Sequence, residues 1–140
     1  MITIRYSFLT NFFSLFRTLK AKRWLDRNGY IYNLNFWDLF KNEFKRVQKI
    51  KIILKSMNIK NKSFVVYLSK FDTYGSYKLP NNIFLNIYQP LNQIKDTFNH
   101  EIKHLEVEGE VKNRKLIHEQ KENLVNLLMK NEINKFKNYK

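Results

Sequence analysis

The chain has 140 residues, 44% of them hydrophobic and 16% aromatic, a balance that excludes a disordered polymer and suits one domain with a real core. It has no cysteine, which excludes disulfides and thiolate metal sites, leaves any metal to His, Asp or Glu, and fits a cytoplasmic location. The net charge of +14, from 26 basic and 12 acidic residues, invites anionic partners such as nucleic acid. Lysine far outnumbers arginine, however, and arginine is the preferred reader of phosphates and base edges, so a solvated lysine-rich surface accounts for the charge on its own.

The first predicted element is a helix. In SFLTNFFSLF, residues 7–16, Phe8, Phe12 and Phe16 recur at helical spacing with Leu19, and Leu9 and Phe13 lie alongside. Such a stripe marks an amphipathic helix. It is too short, and too interrupted by Asn11 and Ser14, to span a membrane, and it lacks the small-residue cleavage site of a signal peptide. Packing onto the core is its expected use. The other use open to it is lying on a membrane, with Arg17, Lys20, Lys22 and Arg23 at the lipid surface. Residues 1–33 are therefore expected as an amphipathic helical extension, ended by the turn Arg27-Asn28-Gly29-Tyr30, ahead of a main domain over 34–140, the two forming one compact unit.

A long helix is predicted over 35–57, capped by Asn35, with Phe36, Phe40, Phe44, Val47, Ile50, Leu54 and Met57 on one face and lysines opposite. The pattern then changes to strands: SFVVYLS over 63–69, a turn and short strand in DTYGSY over 72–77, and IFLNIY over 83–88. Pro80-Asn81-Asn82 makes the turn between the last two. Pro90 opens a helix whose buried side is Leu91, Ile94, Phe98, Ile102 and Leu105, expected to end between 106 and 112 near Gly109. A final helix is predicted over 114–136. Grouped strands between helices indicate an α+β fold with a small mixed or antiparallel sheet.

The chemistry is concentrated in the C-terminal part. The chain has three histidines, His100, His104 and His118, and the stretch from His100 to His104 reads HEIKH. On a helix, residues i and i+4 share a face, so the two imidazoles can hold one zinc ion. Glu101, one step round the helix, stands beside the metal as a general base that takes a proton from an activated water. A third protein ligand is required. Glu106, Glu108, Glu110, His118, Glu119 and Glu122 are the downstream candidates. Glu110 falls where a third histidine stands in H-E-x-x-H-x-x-G-x-x-H, but Val107 replaces the glycine of that turn. Glu119 is preferred, with Asn123 supporting it one turn on, ahead of Glu122 and then His118.

IFLNIYQPLNQIKDTFNHEIKHLE followed by IHEQKENLVNLLM resembles the small ImmA/IrrE-like metallopeptidases over about 63–129. That resemblance implies a minimal zincin-like fold, in which a small sheet is packed by an N-terminal helix, the active-site helix and a C-terminal helix. It implies zinc held by His100, His104 and Glu119, Glu101 as catalytic base, and a protein or peptide substrate that includes DNA-binding regulators. Lys103 stands where that family often has glycine, and Glu122 where alanine is common. The SprT-like family, whose proteases act on DNA-bound proteins, is the second resemblance; its third ligand is a histidine at about the spacing of His118. By analogy with zincins, the strand over 83–88 is expected to hold an extended peptide. A reading from a different class is a non-catalytic basic protein that binds nucleic acid through Lys41, Lys45, Arg46, Lys49, Lys51 and Lys55.

Overall fold

The computed structural model describes residues 1–57, 59 and 62–137, with side chains as far as 131. The last three residues of the expected 34–140 domain lie outside the described residues. Four strands, β1 (Ile2–Arg5), β2 (Phe64–Ser69), β3 (Gly75–Lys78) and β4 (Asn82–Asn86), form one sheet in the order β1-β2-β4-β3. β1, β2 and β4 run parallel, and β3 is antiparallel to β4. The helices are α1 (Phe8–Arg27), α2 (Phe44–Lys55), α3 (Ile94–Arg114) and α4 (His118–Lys137). The architecture is thus α+β with a mixed sheet.

The strand period of two separates the faces of the sheet. Phe64, Val66 and Leu68 of β2 and Ile83 and Leu85 of β4 are buried with Val47, Ile50 and Leu54 of α2 and Ile94 and Phe98 of α3. This is the main core, and truncating a ring such as Phe98 to alanine there costs about 3–5 kcal/mol. Ile102 and Leu105 are only partly buried against it.

The N-terminal segment contributes a strand as well as a helix. Ile2 to Arg5 pair in register with Phe64 to Tyr67, so the expected 1–33 extension supplies an edge strand of the sheet. The expected burial of the α1 stripe is also overturned. α1 turns Asn11, Ser14, Leu15, Thr18 and Leu25 inward and leaves Phe8, Leu9, Phe13, Phe16 and Leu19 exposed. The inward polar groups are satisfied: Asn11 accepts from the Lys70 backbone N–H at 2.8 Å, Ser69 Oγ donates to Ser14 Oγ at 2.6 Å, and Thr18 donates to the Ser14 carbonyl. Buried hydrogen bonds anchor this helix together with Leu15, which packs on Leu39 and Phe71, and the buried Leu25.

The helix expected over 35–57 is two pieces. Asn35 does cap its start, accepting from the Trp37 N–H, but only a 3-10 turn (Phe36–Phe40) follows. Lys41 is extended, and α2 begins at Phe44. Lys70, 2% exposed, explains the break. Its ammonium donates to the carbonyls of Asp38, Leu39 and Lys41, taking acceptors that a continuous helix would use itself. Of the expected face, Val47, Ile50 and Leu54 are buried, while Phe36, Phe40 and Phe44 are exposed.

α3 does not stop near Gly109. Val107 and Val111 pack with Val125 of α4, and that small core carries the helix on to Arg114. Lys115, in the left-handed region at φ 53°, then turns the chain into α4.

Candidate metal centre

α3 carries HEIKH across the sheet beside β3, and α4 folds back against α3 through Val107, Val111 and Val125. That packing decides which face of α4 meets the histidines. Glu122 stands three residues before Val125 and seven before Met129, on the side that packs.

The result is a convergent triad of donor atoms. His100 Nε2 and His104 Nε2 face each other at 2.9 Å. One Glu122 oxygen lies 3.4 Å from His100 Nε2 and the other 3.3 Å from His104 Nε2. Ligand atoms held about 2.0–2.2 Å from a tetrahedral ion stand roughly 3.3–3.6 Å apart. The two carboxylate separations match that spacing, and the imidazole pair is a few tenths of an ångström closer. Two imidazoles and a carboxylate therefore fit a divalent metal such as zinc, and among the described residues theirs is the one such cluster.

Charge within the triad is mutually arranged. The hydrogen bond to Glu122 raises the pKa of His100 above its ordinary value, against the opposing effect of burial. Burial resists ionisation of Glu122, yet its hydrogen bonds to His100 and His104 outweigh this and hold the carboxyl well below the usual carboxylate range. His104 is 3% exposed. Its Nδ1 is buried without a protein hydrogen-bond partner, where metal-binding imidazoles usually donate to a carboxylate or carbonyl. Tyr77 of β3 stacks flat on the His104 ring, 5.2 Å between centroids and 9° between planes, and fixes its orientation.

Glu101 is buried at 6% exposure on the adjoining face of α3. Burial pushes its pKa up to about 7; the positive charges of His100 and Lys121 oppose the rise and the negative charge of Glu122 adds to it. Gly75, at the start of β3, makes room for it. A Cβ there would lie 2.5 Å from Thr97 Cγ2 and 2.6 Å from Glu101 Oε1. Contacts that close do not occur between real side chains, so any larger residue here would push the Thr97 and Glu101 side chains aside.

The other expected ligands are placed elsewhere. Glu119 and Asn123 are exposed on α4 and outside the triad, so the carboxylate that reaches the histidines is Glu122 and not the preferred Glu119. His118 lies beside the triad, its Nδ1 3.9 Å from Glu122, but its Nε2 bonds the Tyr30 hydroxyl at 2.8 Å and its ring packs edge-on against Trp24. Glu106 pairs with Lys62 and Lys103, Glu110 with Arg114, and Glu108 accepts from the Tyr77 hydroxyl at 2.6 Å. The expected peptide-binding strand is corrected too. β4 is interior, paired on both sides, and among the described residues the unpaired edge next to α3 belongs to β3.

Gly75, Tyr77, Tyr30 and Lys121 are contributors that motif reading passes over. Gly75 and Tyr77 sit two residues apart, hence on one face of a strand, which is the signal in DTYGSY that they approach the same neighbour. Lys121 precedes Glu122, contacts the Tyr77 hydroxyl and lies 3.8 Å from Glu108. Tyr30 comes from a turn remote in sequence and carries no such signal.

Comparison with known proteins yields no match: no family model fits the chain, and no curated protein or solved structure is significantly similar to it.

Proposed function

We propose that the chain is a zinc-dependent peptidase with a zincin-like fold. The observation that carries this reading is the convergence of His100, His104 and Glu122 next to a buried Glu101. The ligand set is two histidines from one helix and a glutamate from the next. That favours the ImmA/IrrE-like resemblance over the SprT-like one, in which His118 would complete the site.

Zinc bound there supplies Lewis-acid chemistry: it acidifies a water and polarises a carbonyl. The chain's own residues do the rest. Glu101 takes a proton from the attacking water and returns it to the departing amine nitrogen. Burial raises the pKa of Glu101 in the metal-free chain and so opposes the lowering that a neighbouring cation brings, which suits a group that must both accept and release a proton. Tyr77 and Gly75 hold the His104 ring and the Glu101 carboxylate in place. The edge of β3 that is unpaired among the described residues offers backbone N–H and C=O groups to an extended substrate segment, which suits a protein or peptide substrate; DNA-binding regulators enter only through the ImmA/IrrE-like resemblance.

The basic nucleic-acid-binding reading has less support. Arg46 spends its guanidinium on the carbonyls of Ile87 and Gln89, and Lys41 pairs with Asp38 at 2.5 Å, so two of the cations proposed for that role are engaged internally. Glu101→Gln tests the enzyme. It should retain zinc at wild-type affinity and lose hydrolysis of unfolded protein substrates. Loss of zinc in that variant, or full retained activity, would remove Glu101 from the role of base.

A further inference from the structure

α1 is inside out. Its buried side is largely polar, whereas Phe8 is 57% exposed, Phe13 65% and Phe16 51%. Single exposed apolar side chains are ordinary on a protein surface, but a contiguous patch is not. Here the rings touch in series across two elements. Phe16 meets Phe12 at 5.3 Å, Phe12 meets Phe8 at 6.4 Å, and Phe8 meets Phe40 of the 3-10 turn at 6.4 Å. Phe40 continues to Phe36 at 5.7 Å, and Phe36 to Trp37 at 6.2 Å.

The charge around this face is net positive: in the 3-10 turn Asp38 is buried and paired with Lys41. At 3.6 residues per turn, Lys20, Arg23 and Arg27 continue the side of α1 that carries Phe12 and Phe16. Asp26 is the sole acidic residue of α1, and Lys22 neutralises it at 2.8 Å. Among the described residues no helix is long and apolar enough to cross a membrane.

We propose that this aromatic face docks on the surface of an anionic lipid bilayer. The rings enter the boundary between headgroups and acyl chains while Lys20, Arg23 and Arg27 meet lipid phosphates, the division of labour of an interfacial helix. Charge complementarity selects the occupant. A second copy of the chain would bring the same basic rim and another net charge of +14 to the contact, and like charges would oppose it. An anionic bilayer presents the opposite sign over a surface broad enough for both α1 and the 3-10 turn. This face stands independently of the metal centre.

Flotation of the purified protein with phosphatidylcholine vesicles, with and without phosphatidylglycerol, tests the assignment. Binding is expected with phosphatidylglycerol only, weakening as salt rises, with a blue shift of the tryptophan emission as Trp37 leaves water. Phe12→Ser with Phe16→Ser, and separately Lys20→Glu with Arg23→Glu, should each lower binding at least about tenfold. These side chains are exposed, so thermal unfolding of both variants should match the parent. No binding of the parent to anionic vesicles, equal binding to phosphatidylcholine alone, or binding that both variants leave unchanged would overturn the proposal. Sedimentation velocity in the absence of lipid supplies a further arm. A dimer dissociated by the phenylalanine variant would assign the face to self-association and overturn it likewise.

Discussion

Glu101 offers a test of site energetics that needs no substrate. In the metal-free protein burial raises its pKa from 4.5 to about 7. A raised folded-state pKa means the folded protein holds this proton more tightly than the unfolded chain does. The stabilisation is therefore fully present below the unfolded value and is lost as pH rises through the folded one. At about 1.36 kcal/mol per pH unit, the rise is worth about 3 kcal/mol. Glu101→Gln keeps the side chain's size and cannot ionise. The metal-free variant should match wild type near pH 4 and exceed its stability by about 3 kcal/mol at pH 8, with the difference growing between those limits. Urea unfolding in the presence of a chelator, at a series of pH values, measures this. His100 and Glu122 also titrate and are coupled to Glu101 by charge, so the difference reports the Glu101 carboxyl together with its effect on those two neighbours. A difference that stays flat with pH would refute the claim that the carboxyl is buried against its own charge.

Other outcomes follow from the same geometry. Gly75→Ala places a Cβ against Thr97 and Glu101 and should cost about 1–3 kcal/mol of stability by overpacking while lowering hydrolysis more than zinc affinity. Gly109→Ala is its counterpart: nothing lies within 4 Å of that Cβ, the residue is inside α3, and stability should rise by up to about 1 kcal/mol in thermal or urea unfolding. Zinc affinity should fall on acidification, because His100 must release its proton to become a ligand and the Glu122 hydrogen bond raises its pKa. A competition titration across pH should show that loss setting in above the ordinary imidazole value of about 6.5. Affinity independent of pH between neutrality and mild acid would contradict His100 as a ligand.

What the sequence made legible was periodicity. SFVVYLS and DTYGSY hold β2 and most of β3, IFLNIY is strand only as far as Asn86, the Pro90 helix exists, and the two histidines share one of its faces. An apolar stripe, however, states that a helix has two sides and not which one faces inward. In α1 the serine, threonine and asparagine side packs, because Ser69, Lys70 and the helix's own carbonyls satisfy it. The continuous helix over 35–57 fails for a reason located thirty residues away, the Lys70 ammonium. Glu119 and Glu122 cannot be separated by motif spacing alone. The packing side of α4 separates them, and Val125 and Met129 mark it in the sequence three and seven residues beyond Glu122. Likewise, the place of β4 inside the sheet depends on its pairing with both β2 and β3, and the β-branched alternation of Ile2, Thr3 and Ile4, the signal for β1, spans only four residues.

Zinc titration of metal-free wild type, His104→Ala, Glu122→Ala and Glu119→Ala, followed by equilibrium dialysis at neutral pH, tests the central claim most directly. The account predicts about one zinc per wild-type chain, none retained by His104→Ala, an affinity lowered at least about tenfold in Glu122→Ala, and no change in Glu119→Ala. Failure of wild type to bind zinc, or a Glu122→Ala variant that binds it as tightly as wild type, would contradict the account.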